Sequence, residues 1–220
     1  MQNSFLNLDN FYDNHPIFNS ISVNDYQLFT VFWNIFLALL PMVFYMLLKS
    51  YWLKNGFAKF NQKAAAAAIF VFWLIFFPNS AYIITDARHL LNYCPVDSLN
   101  KVCVENAWMI MVFFTYSSFG WVCFYYSLKA MSEFANKIFG RLKPYFFVSL
   151  IMPIVSLGVL VGLLNRFNSW DAFIFPLLFL KTMSGYFLNF YYFINWIIFT
   201  IFLYLLYFAG DAIFRKIKKL

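Results

Sequence analysis

The residues best suited to chemistry lie in two short polar segments, and the first is residues 77–89, FPNSAYIITDARH. Four of its side chains are spaced three, four and three residues apart, the spacing of one helix face: Asn79, Tyr82, Asp86 and His89. Thr85 lies among them. If the helix continues past Pro78, these groups form a polar stripe at the end of an apolar stretch. Such groups need partners, so the stripe predicts a helix face turned toward other helices or a cavity.

The second polar segment follows a later apolar stretch, at residues 165–171, NRFNSWD. It supplies a cation, two small polar groups, an indole and a carboxylate: Arg166, Asn168, Ser169, Trp170 and Asp171. An arginine at the edge of an apolar stretch favours an anionic partner, and arginine–carboxylate pairs have a fixed geometry. We expect Arg166 within salt-bridge reach of Asp86, with Asp171 as the other candidate, beside a cavity open to the outer face.

Both segments also have a structural interpretation. Asn168 or Ser169 would cap a following helix, with Asp171 favourable in its first turn. The arginine would form a purely structural ion pair with Asp86, and Tyr82 would anchor at a membrane interface. Taken singly, each residue favours structure. Taken together, so many polar types at two helix ends favour a ligand-binding site.

The elements that must position these segments are membrane helices. The chain is 63% hydrophobic and 11% charged, whereas a soluble domain carries about 25% charged residues. A bilayer crossing takes about 20 apolar residues, and backbone groups in lipid are satisfied within helices. Five stretches of that length lack Asp, Glu, Lys and Arg: 28–48, 64–84, 107–128, 145–165 and 186–208. The sequence therefore predicts an all-α, polytopic membrane helix bundle with five transmembrane helices in a single membrane domain, residues 28–210.

The distribution of charge predicts the orientation of this bundle. Basic clusters follow the first, third and fifth stretches, at 49–63, 129–143 and 215–219. Because basic clusters mark cytoplasmic loops, we expect an extracytoplasmic N-terminal tail, 1–27, and a basic cytoplasmic C-terminal tail, 211–220. This pattern assigns the net charge of +7 to membrane orientation. We therefore expect the lipid bilayer as partner and no nucleic acid.

The connection between the fourth and fifth stretches is apolar but short. Residues 172–180 contain Pro176 and end at Lys181, so they are too few to cross a bilayer. A sixth span would also place the basic C-terminus outside. The sequence therefore predicts a re-entrant or interfacial helix near 172–182.

The long connection after the second stretch carries two cysteines, Cys94 and Cys103. On an oxidising face they would form a disulfide, and otherwise they are two unpaired thiols. The chain has no His-x-x-x-His or Cys-x-x-Cys pair, so the sequence predicts no metal site and no cofactor.

The two polar segments, together with residues 33–38, WNIFLA, resemble a family of uncharacterised bacterial integral membrane proteins. In that family a Pro-Asn-x-x-Tyr-x-x-Thr-Asp motif pairs with Gly-Arg-x-x-Arg-x-Asn-Ser-Trp-Asp, and the similarity covers the whole predicted membrane domain. Here Pro78–Asp86 and Gly162–Asp171 match, but the first arginine falls on Leu163 and only Arg166 remains. If both arginines normally bind one anion, this chain would bind it more weakly. The resemblance implies a bacterial plasma membrane location and no particular activity.

Three functional hypotheses follow. The first is a non-enzymatic binding, transport or accessory membrane component whose outer-face polar cluster recognises a small ligand or a membrane protein partner. The second is a membrane-embedded enzyme acting on a lipid-linked or phosphate-bearing substrate at the outer leaflet, with Asp86 or His89 as general base and Arg166 holding a phosphate. The third is a purely structural cluster. The sequence contains no nucleotide-binding loop, zincin motif or serine hydrolase elbow, which favours the first.

Overall fold

The computed structural model describes residues 22–23, 26–87, 108–140 and 143–217, with side chains from Phe29 to Lys216. Two two-residue strands, β1 and β2, form an antiparallel pair before the first helix. Eight helices follow in the described residues. The bounds of the two strands and eight helices are β1 Ser22–Val23, β2 Tyr26–Gln27, α1 Leu28–Asn55, α2 Phe60–Phe76, α3 Pro78–Thr85, α4 Trp108–Phe139, α5 Pro144–Asn165, α6 Asp171–Ile174, α7 Pro176–Leu188 and α8 Phe190–Ile217.

Five helical segments are long and apolar enough to cross a membrane: Phe29–Asn55, Phe60–Thr85, Trp108–Phe139, Pro144–Asn165 and Phe190–Lys216. They confirm the predicted all-α bundle of five membrane helices. Several continue beyond the apolar stretches because a helix does not end where charge begins. The third, for example, carries Lys129 and Lys137 in its last turns. The predicted orientation of the termini and the predicted domain boundaries stay predictions.

The second membrane segment remains helical across a proline. Pro78 lacks a backbone N–H, and it occupies the first turn of α3, where that donor is not required. Phe77 joins α2 to α3 with helical dihedral angles, φ −62° and ψ −34°, and its N–H donates to the carbonyl of Trp73 at 2.9 Å. The helix therefore continues past the proline to Thr85, which is the condition for the polar stripe.

Stacked aromatic rings form the middle of the bundle. The ring of Trp73 stacks on Phe77 with centroids 4.7 Å apart, and Phe77 stacks on Phe124 of α4 at 5.5 Å. The indole N–H of Trp73 donates to the hydroxyl of Ser127 at 3.1 Å. All four side chains are buried, so α2, α3 and α4 share one packed core with no polar atom of these rings left without a partner.

Glycines let α3 approach its neighbours closely. A Cβ at Gly120 of α4 would lie 2.8 Å from side-chain atoms of Ile83, and one at Gly158 of α5 would lie 2.6 Å from Cγ of Pro78. Contacts that short are not tolerated, so both positions require glycine for helix packing. On the third side, the Ser80 hydroxyl donates to the carbonyl of Ala38 in α1 at 2.8 Å. The first polar segment is thus held between three helices.

The apolar stretch before α8 forms two short helices, α6 and α7, and neither is long enough to span a membrane. The predicted short helix is therefore present, but α7 extends to Leu188, so the last membrane helix begins at Phe190 instead of residue 186. Tyr186 fastens α7 to α5, since its hydroxyl donates to Oδ1 of Asn165 at 2.8 Å.

A charged network lies at the end of the bundle where α4 and α8 finish. Asp211 of α8 accepts from Lys129 of α4 at 3.2 Å and from Nε of Arg215 at 2.8 Å. The hydroxyl of Tyr125 lies 3.2 Å from the same carboxylate oxygen and 2.7 Å from Nζ of Lys129. Arg215 also donates to the hydroxyl of Tyr145 in α5 at 2.7 Å. We call these five residues the Asp211 network, and every member has a polar partner.

Candidate functional site

A cavity of about 460 Å³ lies at the opposite end of the bundle from the Asp211 network. Its wall comes from the start of α1, the α2–α3 junction, the second half of α5 with the segment after it, and α7. Six of the predicted site residues line it: Asn79, Tyr82, Arg166, Asn168, Ser169 and Trp170. The remaining lining is mostly apolar. The two polar segments singled out in the sequence therefore meet at one cavity.

Asn79 joins the two segments directly. Its Nδ2 donates to the hydroxyl of Ser169 at 2.8 Å and to the carbonyl of Phe76 at 2.8 Å. These two bonds use both amide hydrogens and orient the side chain. The amide oxygen has no partner among the described residues. Asn79 thus fixes the position of the second segment and leaves an acceptor at the cavity wall.

Asp86 does not take the position that its spacing predicts. It is 1% exposed, does not line the cavity, and accepts from Nδ2 of Asn34 in α1 at 3.4 Å. Asp86 follows α3 in a tighter turn, in which its N–H donates to the carbonyl of Ile83 three residues back, so α-helical spacing does not hold it on the face of Asn79 and Tyr82. Thr85 is also directed elsewhere, since its hydroxyl donates to the carbonyl of Tyr82 at 2.7 Å.

The predicted ion pair between Asp86 and Arg166 is wrong. Within the residues that the structure describes, the ion pairs are the two of the Asp211 network. Arg166 lies on the exposed side of the cavity wall, whereas Asp86 is buried beside α1. The carboxylate and the guanidinium therefore belong to different surroundings, although both follow the ends of neighbouring helices.

Arg166 has an unusual backbone conformation. It ends α5 with φ 59° and ψ 31°, in the left-handed region, and it is the one non-glycine residue with positive φ in the described chain. Its N–H donates to the carbonyl of Val161. Glycine or asparagine usually occupies such a position, because other residues there cost about 1–2 kcal/mol. Arg166 lines the cavity, and its guanidinium makes no hydrogen bond or ion pair with any described residue.

The turn after Arg166 is closed by Asp171, which corrects the capping hypothesis. The carboxylate of Asp171 accepts from the backbone N–H of Asn168 at 2.7 Å, and its own N–H donates to the Asn168 carbonyl at 3.0 Å. Helix α6 begins after Trp170 without a side-chain cap. Neither Asn168 nor Ser169 therefore caps it, and both side chains are left at the cavity.

Trp170 brings an orphaned polar group to the same wall. Its indole N–H is buried and has no acceptor in the part of the chain that the structure describes. The ring meets Trp33 of α1 edge-on, with centroids 6.3 Å apart. Buried polar atoms without a partner are rare in native structures, and each one needs a specific reason.

Two residues of α1 line the cavity but were not among the site residues predicted from the sequence. Trp33 and Asn34 line the cavity, and Asn34 binds Asp86 as well. A single asparagine inside an apolar stretch is more often a helix-packing residue than a site residue. The available signal was its place next to a tryptophan in the WNIFLA segment.

Three predicted residues lie outside the described residues: His89, Cys94 and Cys103. Over the described ranges, which omit 88–107, no group of three His, Cys, Asp or Glu side chains is placed to hold a metal ion. The described residues of the cavity lining include a guanidinium, hydroxyl and amide groups but no carboxylate. Such a lining is suited to binding an anion or a hydrogen-bonding group rather than a cation.

Residues 33–206 match the model of a family described as "Protein of unknown function (DUF1361)". The match spans both polar segments and most of the five membrane helices. No curated protein and no solved structure matches the chain. The chain therefore belongs to this family of proteins of unknown function.

Proposed function

We propose that this protein is a non-enzymatic membrane component that binds a small ligand in the cavity between α1, α3 and α5. The observation that carries the proposal is the convergence of two polar segments, distant in sequence, on one cavity in an otherwise apolar bundle. Its volume of about 460 Å³ lies in the range of cavities that take small molecules, roughly 300–1,000 Å³. By the charge distribution, it opens toward the extracytoplasmic side.

The polar groups of the cavity favour a ligand over a purely structural role. Structural polar groups within a membrane protein are expected to satisfy one another, as in the Asp211 network. At the cavity, by contrast, the guanidinium of Arg166 and the amide oxygen of Asn79 have no partner among the described residues. The cavity thus offers both hydrogen-bond donors and an acceptor to a bound molecule.

Binding is favoured over catalysis by the composition of the wall. A general base must reach the reacting atoms directly or through one water. Asp86 is buried against Asn34, Asp171 is occupied by the turn at Asn168, and neither lines the cavity. The described part of the wall therefore offers a place to hold a molecule but no carboxylate to activate it.

The proposal is tested by filling the cavity. Gly162 lines it, and a Cβ there would make ordinary contacts, 3.4 Å from the Phe167 carbonyl and 3.7 Å from the Tyr82 ring. Gly162→Ala is therefore a tolerated control, whereas the Gly162→Leu side chain would extend into the cavity. Both variants are extracted from membranes with polymer, which retains bound molecules, and compared with wild type by native mass spectrometry.

We expect a bound small molecule on wild type and on Gly162→Ala, and its loss from Gly162→Leu. Unfolding temperatures check that all three proteins are folded. If no bound mass depends on the cavity, the ligand-binding function is wrong, and the cavity is a packing feature of the bundle.

A further inference from the structure

The hydrogen-bond donors at the cavity are concentrated in the segment after α5. Arg166 is the one charged residue of the described lining, and its guanidinium has five N–H donors in a fixed fork. The Ser169 hydroxyl accepts from Asn79 and keeps its own hydrogen to donate. Within two turns of chain there are thus several donors, one of them cationic, and no acceptor of theirs among the described residues.

The indole N–H of Trp170 is a further donor that lacks an acceptor among the described residues. It is the third donor in this segment, and it is buried next to the cavity. A surplus of donors with a positive charge is complementary to an oxyanion, which accepts several hydrogen bonds and neutralises the guanidinium. The acceptor missing from the protein side is therefore best supplied by a phosphate or carboxylate group.

Away from this segment, the cavity lining is mostly apolar. Along α5 the lining runs from Gly162 back to Ile154, which is about 12 Å at 1.5 Å per residue. Ile154 is 45% exposed within a predicted membrane helix, and Leu74 and Ile75 of α2 line the same region. A free anion would occupy only the polar end. A hydrocarbon chain would fill the apolar end and pass Ile154 into the bilayer.

We propose that the ligand is an anionic amphiphile, whose phosphate or carboxylate group is held by Arg166 and Ser169 and whose chain leaves past Ile154 into the lipid. The assignment rests on the proposed function of the cavity as a ligand-binding site. It adds the chemical class of the ligand and the direction from which the ligand enters, which is the bilayer. Arg166 is the counter-ion, and this accounts for a strained left-handed residue at that position.

Three probes with matched parts test the assignment on the full chain in neutral maltoside micelles. Dioctanoyl phosphatidic acid has both the anion and the chains, dioctanoylglycerol has the chains alone, and inorganic phosphate is the anion alone. Each is titrated, and the midpoint temperature of unfolding is measured. Because a ligand that binds only the folded protein raises this temperature, we expect a saturable rise with the first probe and none with the other two.

Three substitutions locate the site, two of which remove one positive charge. Arg166→Gln should weaken binding of dioctanoyl phosphatidic acid at least about tenfold, because a charge-assisted hydrogen bond is lost. Arg166→Lys, which keeps the charge without the fork, should weaken it less. Lys181→Gln is the control, since Lys181 is exposed on α7 between the cavity residues Phe179 and Met183 but does not line the cavity. It should leave binding within about twofold, as expected for an exposed charge.

The assignment is overturned if inorganic phosphate stabilises as well as phosphatidic acid, if dioctanoylglycerol does, if none of the probes binds, or if Lys181→Gln weakens binding as much as Arg166→Gln. The mass-spectrometric test separates these failures from failure of the proposed function. A molecule that is lost from Gly162→Leu but is neither anionic nor amphiphilic would preserve the binding function and reject only the ligand class.

Discussion

The two ends of the bundle differ in whether their charged and polar side chains have partners. In the Asp211 network, the carboxylate of Asp211 pairs with Lys129 and Arg215 and lies within hydrogen-bond distance of the Tyr125 hydroxyl. Arg215 also donates to the hydroxyl of Tyr145. At the cavity, among the described residues, Arg166 has no carboxylate partner and the buried indole N–H of Trp170 has no acceptor. Partnered charge joins helices together, whereas the exposed guanidinium at the cavity stays open to solvent or to a ligand. Our proposal assigns the first set of polar groups to structure and the second to ligand binding.

The largest expected effect is at the network. Asp211→Ala leaves Lys129, whose side chain is 24% exposed, without its counter-ion in a largely buried place. We expect the free energy of unfolding to fall by about 2–3 kcal/mol, less than for a fully buried pair because Lys129 reaches solvent. Chemical unfolding in detergent measures it. Adding Lys129→Met should restore part of the loss, and a double variant less stable than Asp211→Ala would contradict the assigned role.

A smaller effect distinguishes two tryptophans. Trp73→Phe removes an indole N–H that donates to Ser127 in the core, whereas Trp170→Phe removes one with no acceptor among the described residues. Both remove similar volume, but Trp73 is fully buried whereas Trp170 is half-buried, so the difference combines the hydrogen bond with a larger packing loss at Trp73. We expect Trp73→Phe to cost about 1–2 kcal/mol more than Trp170→Phe in the free energy of unfolding. Equal losses would contradict the contrast between a partnered indole at Trp73 and an unpartnered one at Trp170.

The smallest effect concerns Asp86 and Arg166. Because the carboxylate is buried against Asn34 and the guanidinium lies at the cavity wall, the two groups should not be coupled. A double-mutant cycle with Asp86→Asn and Arg166→Gln should give an interaction free energy within about 0.5 kcal/mol of zero. A coupling clearly above that value would restore the ion pair expected from the sequence.

The same contrast explains what the sequence could and could not predict. Charge-free apolar stretches identify membrane helices because lipid imposes a fixed length on them, and the stripe of Asn79 and Tyr82 follows from helical spacing alone. The position of Asp86 does not follow from α-helical spacing, because Asp86 lies past the end of α3, where the turn tightens. The partners of Arg166 depend on a left-handed turn that arginine seldom adopts.

Contacts between helices that are distant in sequence could not be predicted either. Asn34 of α1 reaches Asp86, and Trp33 meets Trp170, but each contact requires the relative rotation of helices, which packing sets and periodicity does not. Lys129 and Arg215 likewise carried the orientation signal, while their pairing with Asp211 emerges only when α4 and α8 lie side by side.

The central claim is that Arg166 is retained for a ligand at the expense of stability, and the variant Arg166→Gly tests it most directly. Glycine adopts the left-handed conformation without strain, so the free energy of unfolding without ligand should stay level or rise by up to about 1 kcal/mol. Stabilisation by dioctanoyl phosphatidic acid should disappear in the same protein. A variant that is less stable than wild type in the absence of ligand would contradict the claim and make Arg166 a structural residue.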